Sequence, residues 1–190
     1  MKNLVLFLAS FLLLMSACKK DKSSGSNNNT ANPYYFKFTL NGSNYNLNAN
    51  FPQYMPFYTN EIGGYQDANT GLFPSVGLRL SWAIGDTVKE SDVIGLVGKT
   101  LYFNDITIHP EISFNEANTT IPTWFSEDTA NTSYNVKITN VTFLKKDTSA
   151  GNPLRTYVIT GTCTAVISNS DSTGIFSAGS FNFIISRRDL

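Results

Sequence analysis

The chain is 190 residues long and carries 14 Lys and Arg, 14 Asp and Glu and a single His. A net charge of zero provides no basic face to displace counterions from a nucleic acid, so nucleic-acid binding is excluded as a function class. Two cysteines and one histidine exclude a disulfide scaffold, an all-Cys zinc site and a His-rich metal centre, while the length suffices for one domain with a real core.

Met1, Lys2 and Asn3 are followed by an almost wholly apolar run from Leu4 to Met15. One positive charge ahead of about a dozen apolar residues has the order of a secretory signal peptide, and the run falls short of the roughly 20 residues that a spanning helix needs. The segment Leu14-Met15-Ser16-Ala17-Cys18 resembles the lipobox of bacterial lipoproteins, although Leu is commoner than Met at the position of Met15. Small side chains at Ser16 and Ala17 suit entry into a signal peptidase, and the Cys18 thiol is the group that would be alkylated. The resemblance implies that residues 1–17 are removed, and that Cys18 becomes an acylated N-terminus holding the protein on a membrane. Several acyl chains make such attachment stable where one does not. The alternative is an ordinary secretory signal cut near Ala17, with Cys18 incidental.

In such families an Asp directly after the lipidated cysteine marks inner-membrane retention. Lys19 stands there, so the outer membrane of the cell envelope is the expected address. The run Lys19-Lys20-Asp21-Lys22 is similar to surface-export signals, but those are richer in acids, so the periplasmic and exterior faces both stay open. Residues 18–32 contain no large apolar side chain and read as a tether, with a coil reach of roughly 20 Å.

Residues 33–190 are expected to form one all-β domain. Tyr34, Phe36, Phe38 and Leu40 alternate with Tyr35, Lys37 and Thr39. Asn41-Gly42 then favours a type I′ hairpin turn, and Tyr45, Leu47 and Ala49 continue on a return strand. The segment 51–65 holds five aromatics and two prolines without clean alternation, and reads as a rigid loop. Val76, Leu78, Leu80 and Trp82 alternate with Gly77, Arg79 and Ser81. Glu90 to Val97 is expected to supply a turn or two of helix, capped at Ser91. The segment Leu101 to Ile108 alternates and ends at His109-Pro110. From Tyr134 the phase shifts around Thr139-Asn140, which predicts a β-bulge. Lys145 to Pro153 reads as a wide hairpin loop. Tyr157, Ile159, Cys163, Ala165 and Ile167 share one face of a strand, as do Phe181, Phe183 and Ile185 near the end. About eight to ten short strands separated by turn residues predict an antiparallel β-sandwich, or a small barrel. The pattern Ile159-Thr160-Gly161-Thr162 followed by Gly179-Ser180-Phe181-Asn182-Phe183 resembles small lipoproteins of glycan-degrading Gram-negative bacteria. That resemblance implies a β-sandwich and an envelope address, and transfers no functional residue.

Candidate chemistry is sparse. Cys163 lies on an apolar strand face, where a free cysteine packs as a small hydrophobe. His109 belongs to no Gly-x-Ser-x-Gly or His-Glu-x-x-His motif and reads as a surface histidine at a strand end. Glu111, Glu116, Glu127 and Asp128 are the densest carboxylates; a glycosidase pair is compatible with them, but a polar, turn-rich stretch is where solvated acids normally lie. Asp67, Asp86 and Asp92 match no EF-hand spacing. Tyr54, Phe57, Tyr58 and Tyr65 of the aromatic loop, with Trp124, are the candidate ligand-binding residues, because sugar rings stack on aromatic faces. The competing reading is that the loop folds down to cap the sandwich. The expectation is therefore a non-enzymatic, membrane-attached binding or accessory module with no catalytic residues, cofactor or metal. Its partner would be a glycan or an envelope protein.

Overall fold

The computed structural model describes residues 33–48, 58–67, 74–116, 123–148 and 153–188, with only the backbone of Tyr65, Gln66 and Asp67. They form ten strands: β1 (Tyr35–Leu40), β2 (Ser43–Leu47), β3 (Glu61–Asp67), β4 (Ser75–Trp82), β5 (Thr100–Tyr102), β6 (Ile108–Asn115), β7 (Trp124–Ser126), β8 (Asn135–Asp147), β9 (Leu154–Ser168) and β10 (Thr173–Arg188), with one short helix, α1 (Glu90–Ile94). All pairings are antiparallel.

The two long strands organise the sheet. β9 and β10 form a hairpin, β10 also pairs with β1 and β3, and β9 also pairs with β7 and β8. Following neighbours from β10 through β3, β4, β6, β7 and β9 returns to β10, so the hydrogen-bonded circuit is closed. β1 and β2 extend one flank of it, and β8 and β5 the other. The fold is thus an all-β antiparallel sandwich closed in the manner of a barrel, and closure leaves fewer open edges. At the β3–β10 junction a Cβ on Gly64 would run into the Ile184 carbonyl oxygen, so this approach requires glycine.

Alternation places the core as the sequence implies. Phe36, Phe38, Leu40, Val76, Leu78, Leu80, Ile159, Phe181 and Phe183 are all buried. Their phenylalanines gather in one cluster, with Phe38 stacked on Phe176 at 4.2 Å and Phe36 tilted against Phe181 at 5.3 Å. Such ring pairs add about 0.5–1.5 kcal/mol each beyond the area they bury. The Asn41-Gly42 turn has φ of 49° and 84°, the two left-handed residues a type I′ hairpin requires. The bulge expected near Thr139 is present as a register shift between Ile138 and Asn140.

Several expectations are corrected. The end of the aromatic segment is strand, not loop, because Ile62 and Gly64 alternate with Glu61 and Gly63 in register with β4. The connection expected over Lys145–Pro153 starts later, since β8 runs to Asp147 and β9 begins at Leu154, and residues 149–152 between them lie outside the described residues. Leu101 to Ile108 is not one strand. The chain turns at Asp105, whose Oδ1 accepts the Thr107 N–H at 2.7 Å, and β6 begins at Ile108. His109 therefore opens a strand and does not close one. Pro110 is tolerated inside β6 because the Ile112 N–H, which points to the same edge, reaches the Ser126 hydroxyl and no strand ladder. Finally, α1 is capped at Lys89 and not at Ser91, the Lys89 N–H being accepted by Asp92 Oδ2 at 2.7 Å.

Candidate functional site

The outer faces of β3, β4, β6 and β7 form one surface whose register is fixed by hydrogen bonding. Gly63, Arg79 and Glu111 make one cross-strand row, and Glu61, Ser81 and His109 make the next. Gly77, Ser113 and Phe125 make a third, with Tyr65 opposite Gly77 in the backbone pairing. Gly63 stands across from Arg79 and Gly77 lies two residues before it on the same face of β4, so the sheet surface is hollow there. The hollow is a cleft of about 250 Å³, floored by the backbone around Gly63, Gly64, Gly77 and Leu78. Glu61, Arg79, Glu111, Ser113 and Phe125 wall it.

Its polar wall is an arginine between two carboxylates. Arg79 Nη2 lies 2.5 Å from Glu111 Oε2, and Nη1 lies 3.7 Å from Glu61 Oε1. The Ser81 hydroxyl donates to Glu61 Oε1 at 3.4 Å, completing a chain of charged and polar groups over three strands. The Glu61 side chain is only 12% exposed, and its second oxygen, like Arg79 Nε, is enclosed without a hydrogen-bond partner. Two carboxylates against one guanidinium leave the cleft with a net negative charge. Its apolar wall is Phe125, 47% exposed, next to Ser113.

His109 stands on the rim with Nε2 3.5 Å from Asp128 Oδ1. Ser81, its cross-strand neighbour, directs its hydroxyl to Glu61, so the row is not arranged as a nucleophile and its base. Among the described residues no group of three or more His, Cys, Asp or Glu side chains is placed to hold a metal ion.

Cys18, Tyr54 and Phe57 lie outside the described residues. Tyr58 is exposed just ahead of β3, and Tyr65 is in β3 itself, paired with Gly77 beside the cleft. Trp124 is 7% exposed and belongs to the core, so its ring is not offered to a ligand; the following residue, Phe125, is. Of the carboxylates, Glu111 is in β6, paired with Arg79 and not in a solvated turn. Glu116 accepts the Tyr45 hydroxyl at 2.7 Å, away from the cleft, while Glu127 and Asp128 are exposed beyond β7. Burial and the hydrogen bond to Glu116 push the Tyr45 hydroxyl up to about 12. Cys163 is a buried free cysteine whose thiol is pushed up by burial.

The sequence reading missed Glu61, Arg79 and Phe125. Arg79 is the one charge in β4, on the side it shares with Gly77 and Ser81, but only the β3–β4–β6 register puts it between two glutamates. Comparison with protein-family models, with curated proteins and with solved structures finds no match to this chain.

Proposed function

We propose that this chain is a lipid-anchored cell-envelope β-sandwich protein that binds a glycan and does not transform it. The lipobox resemblance at Leu14–Cys18 supports attachment through Cys18, with the outer membrane as its address. The observation that carries the binding reading is the cleft of Glu61, Arg79, Glu111 and Phe125. Carboxylate oxygens accept from sugar hydroxyls, a guanidinium donates to ring and hydroxyl oxygens, and an exposed phenyl face covers the apolar C–H side of a sugar ring. The cleft volume lies just under the roughly 300–1,000 Å³ of sites for drug-sized ligands, so one sugar unit at a time would occupy it. Both carboxylates pair with the same arginine, which favours a binding role over a separated acid and nucleophile.

A glycan array probed with the purified full chain tests this reading. Binding that weakens at least tenfold in Arg79→Ala and in Phe125→Ala is the expected result. Binding unchanged in both, or none to any glycan, removes it. A second reading, an envelope lipoprotein that docks a protein partner, is favoured by Phe143 and Leu144, both more than two-fifths exposed in β8. Stoichiometric co-purification of one partner after membrane cross-linking, lost in Leu144→Asp, would select it.

A further inference from the structure

The face on the other side of the closed circuit has a different character. In the order β10, β3, β4, β6, β7, β9, the β4–β6 pair that carries the cleft stands opposite the β9–β10 pair. Across the outer surface of β9, β10 and their flanks, register aligns Asn46, Lys37, Ser180, Thr162, Lys137 and Thr100 in a single row over six strands. A neighbouring row is Tyr35, Asn182, Thr160 and Asn140. Neither row contains an acid. Lys37 and Lys137 are exposed, and Lys37 Nζ lies 4.9 Å above the Tyr35 ring. A shallow groove of about 410 Å³ runs along this face, lined by polar residues including Lys37, Asn46 and Ser180 and by the apolar side chains of Phe38, Tyr45 and Ala178.

Three acids, Glu61, Glu111 and Asp128, lie at the cleft and its rim, whereas the acid on the outer side of β8, Asp147, is at the far end of that strand, ten residues from Lys137. The two faces thus differ in sign: the two rows carry Lys37 and Lys137 among hydroxyls and amides, and the cleft and its rim carry three acids against Arg79. The chain also enters the domain on the basic side, where the Asn182 side-chain amide donates to the Pro33 carbonyl at 2.6 Å. Pro33 is the first residue after the segment read as a tether from Cys18.

We infer that the Asn46–Lys37–Ser180–Thr162–Lys137 face rests against an anionic lipid surface and so turns the acidic cleft away from the membrane. Three observations agree on this occupant: lysines without acids in the two rows, the root of the tether on the same face, and an acidic surface opposite that anionic headgroups would repel. Two lysines alone bind a bilayer weakly. On a chain already held at the surface they need only select an orientation, for which their combined preference is roughly thirtyfold. The inference rests on the lipid anchor proposed above.

The full-length lipidated protein, reconstituted in vesicles of phosphatidylcholine with or without phosphatidylglycerol, tests it through lysine acylation mapped by mass spectrometry. Lys37 and Lys137 are expected to react about tenfold more slowly in the anionic vesicles, the difference vanishing in high salt, while Lys89 beside α1 reacts equally in both. A protein that enters the vesicles but shows equal rates at Lys37 and Lys137 in both compositions overturns the orientation and leaves the anchor standing. A protein without a fatty-acyl group that fails to enter them overturns both. Lys99, exposed next to Thr100 at the end of the row, should share the salt-sensitive protection and lose it in a Lys37→Glu/Lys137→Glu variant; protection that persists there would show that these two lysines do not set the orientation and would overturn the inference as well.

Discussion

Arg79 and Glu111 face each other across the β4–β6 pair with Nη2 and Oε2 2.5 Å apart, and each is only partly open to solvent. Glu61 approaches the same guanidinium from β3 at 3.7 Å. The three groups thus tie three strands together on the outside of the circuit, at the point where two glycines remove the side chains that would otherwise cover them. One arginine consequently has two duties, linking strands and walling the cleft.

Replacing Arg79 by Ala should separate these duties. Two enclosed carboxylates would lose their counter-charge, at a cost of about 1–3 kcal/mol, less than for a fully buried pair because the groups are partly solvated. The melting temperature should fall by about 2–8 °C. A Glu111→Ala change added to Arg79→Ala should cost less than the two alone predict, with a coupling of about 1 kcal/mol or more in a double-mutant cycle. Strict additivity in urea denaturation would mean that the short contact contributes nothing.

Gly64→Ala addresses closure of the circuit. The added methyl meets the backbone carbonyl of Ile184, which cannot swing aside as a side chain can. Destabilisation of about 3 kcal/mol or more is expected, at or beyond the upper end of overpacking effects. Gly42, by contrast, adopts a left-handed φ but has open space around its Cβ, so Gly42→Ala should cost only about 1 kcal/mol. Equal losses for the two variants by chemical denaturation would contradict the close approach of β3 and β10.

How far the fold could be read from the sequence depended on whether apolar residues marked the strand face. Phe36, Phe38 and Leu40, or Val76, Leu78 and Leu80, announce both strand and core side by their period of two. β3 was hidden because its inward positions are Ile62 and then Gly64, and a glycine carries no hydropathy. β6 was obscured by Pro110, which ordinarily argues against a strand and is admitted only because the β7 ladder does not extend to it. The cleft was less legible still. Glu111 was noticed as an acid, but its partner lies 32 residues away and Glu61 lies 50 residues away, so only strand order brings them together. For Trp124 and Phe125 the strand phase of a three-residue segment, too short to show alternation, decided which ring is buried and which is free.

Tyr45 makes a prediction in pH. Its hydroxyl donates to Glu116 and its ring stacks on Phe38 at 4.9 Å, and together burial and the carboxylate raise it from 10.0 to about 12. The folded state holds this proton more tightly than the unfolded chain, so the stabilisation is fully present below pH 10 and is lost as pH climbs through about 12. Tyr45→Phe should be less stable than wild type at neutral pH, and the gap should narrow above pH 10. If urea midpoints of the two proteins remain parallel from neutral pH to pH 12, the hydrogen bond to Glu116 does not act on stability.

The two cysteines give the last test, because each should be silent for a different reason. Cys163 is 3% exposed, and burial holds its thiol protonated and away from reagents. Cys18, if acylated as its lipobox resemblance implies, has no thiol left. The mature protein should therefore give no reaction with a maleimide when folded and one equivalent per chain in denaturant, mapped to Cys163. A Cys18→Ala chain should lose incorporation of a fatty-acid analogue while keeping the single masked thiol. Two titratable thiols in the denatured, membrane-purified protein would instead show that Cys18 is retained unmodified, and the anchored reading would fall with it.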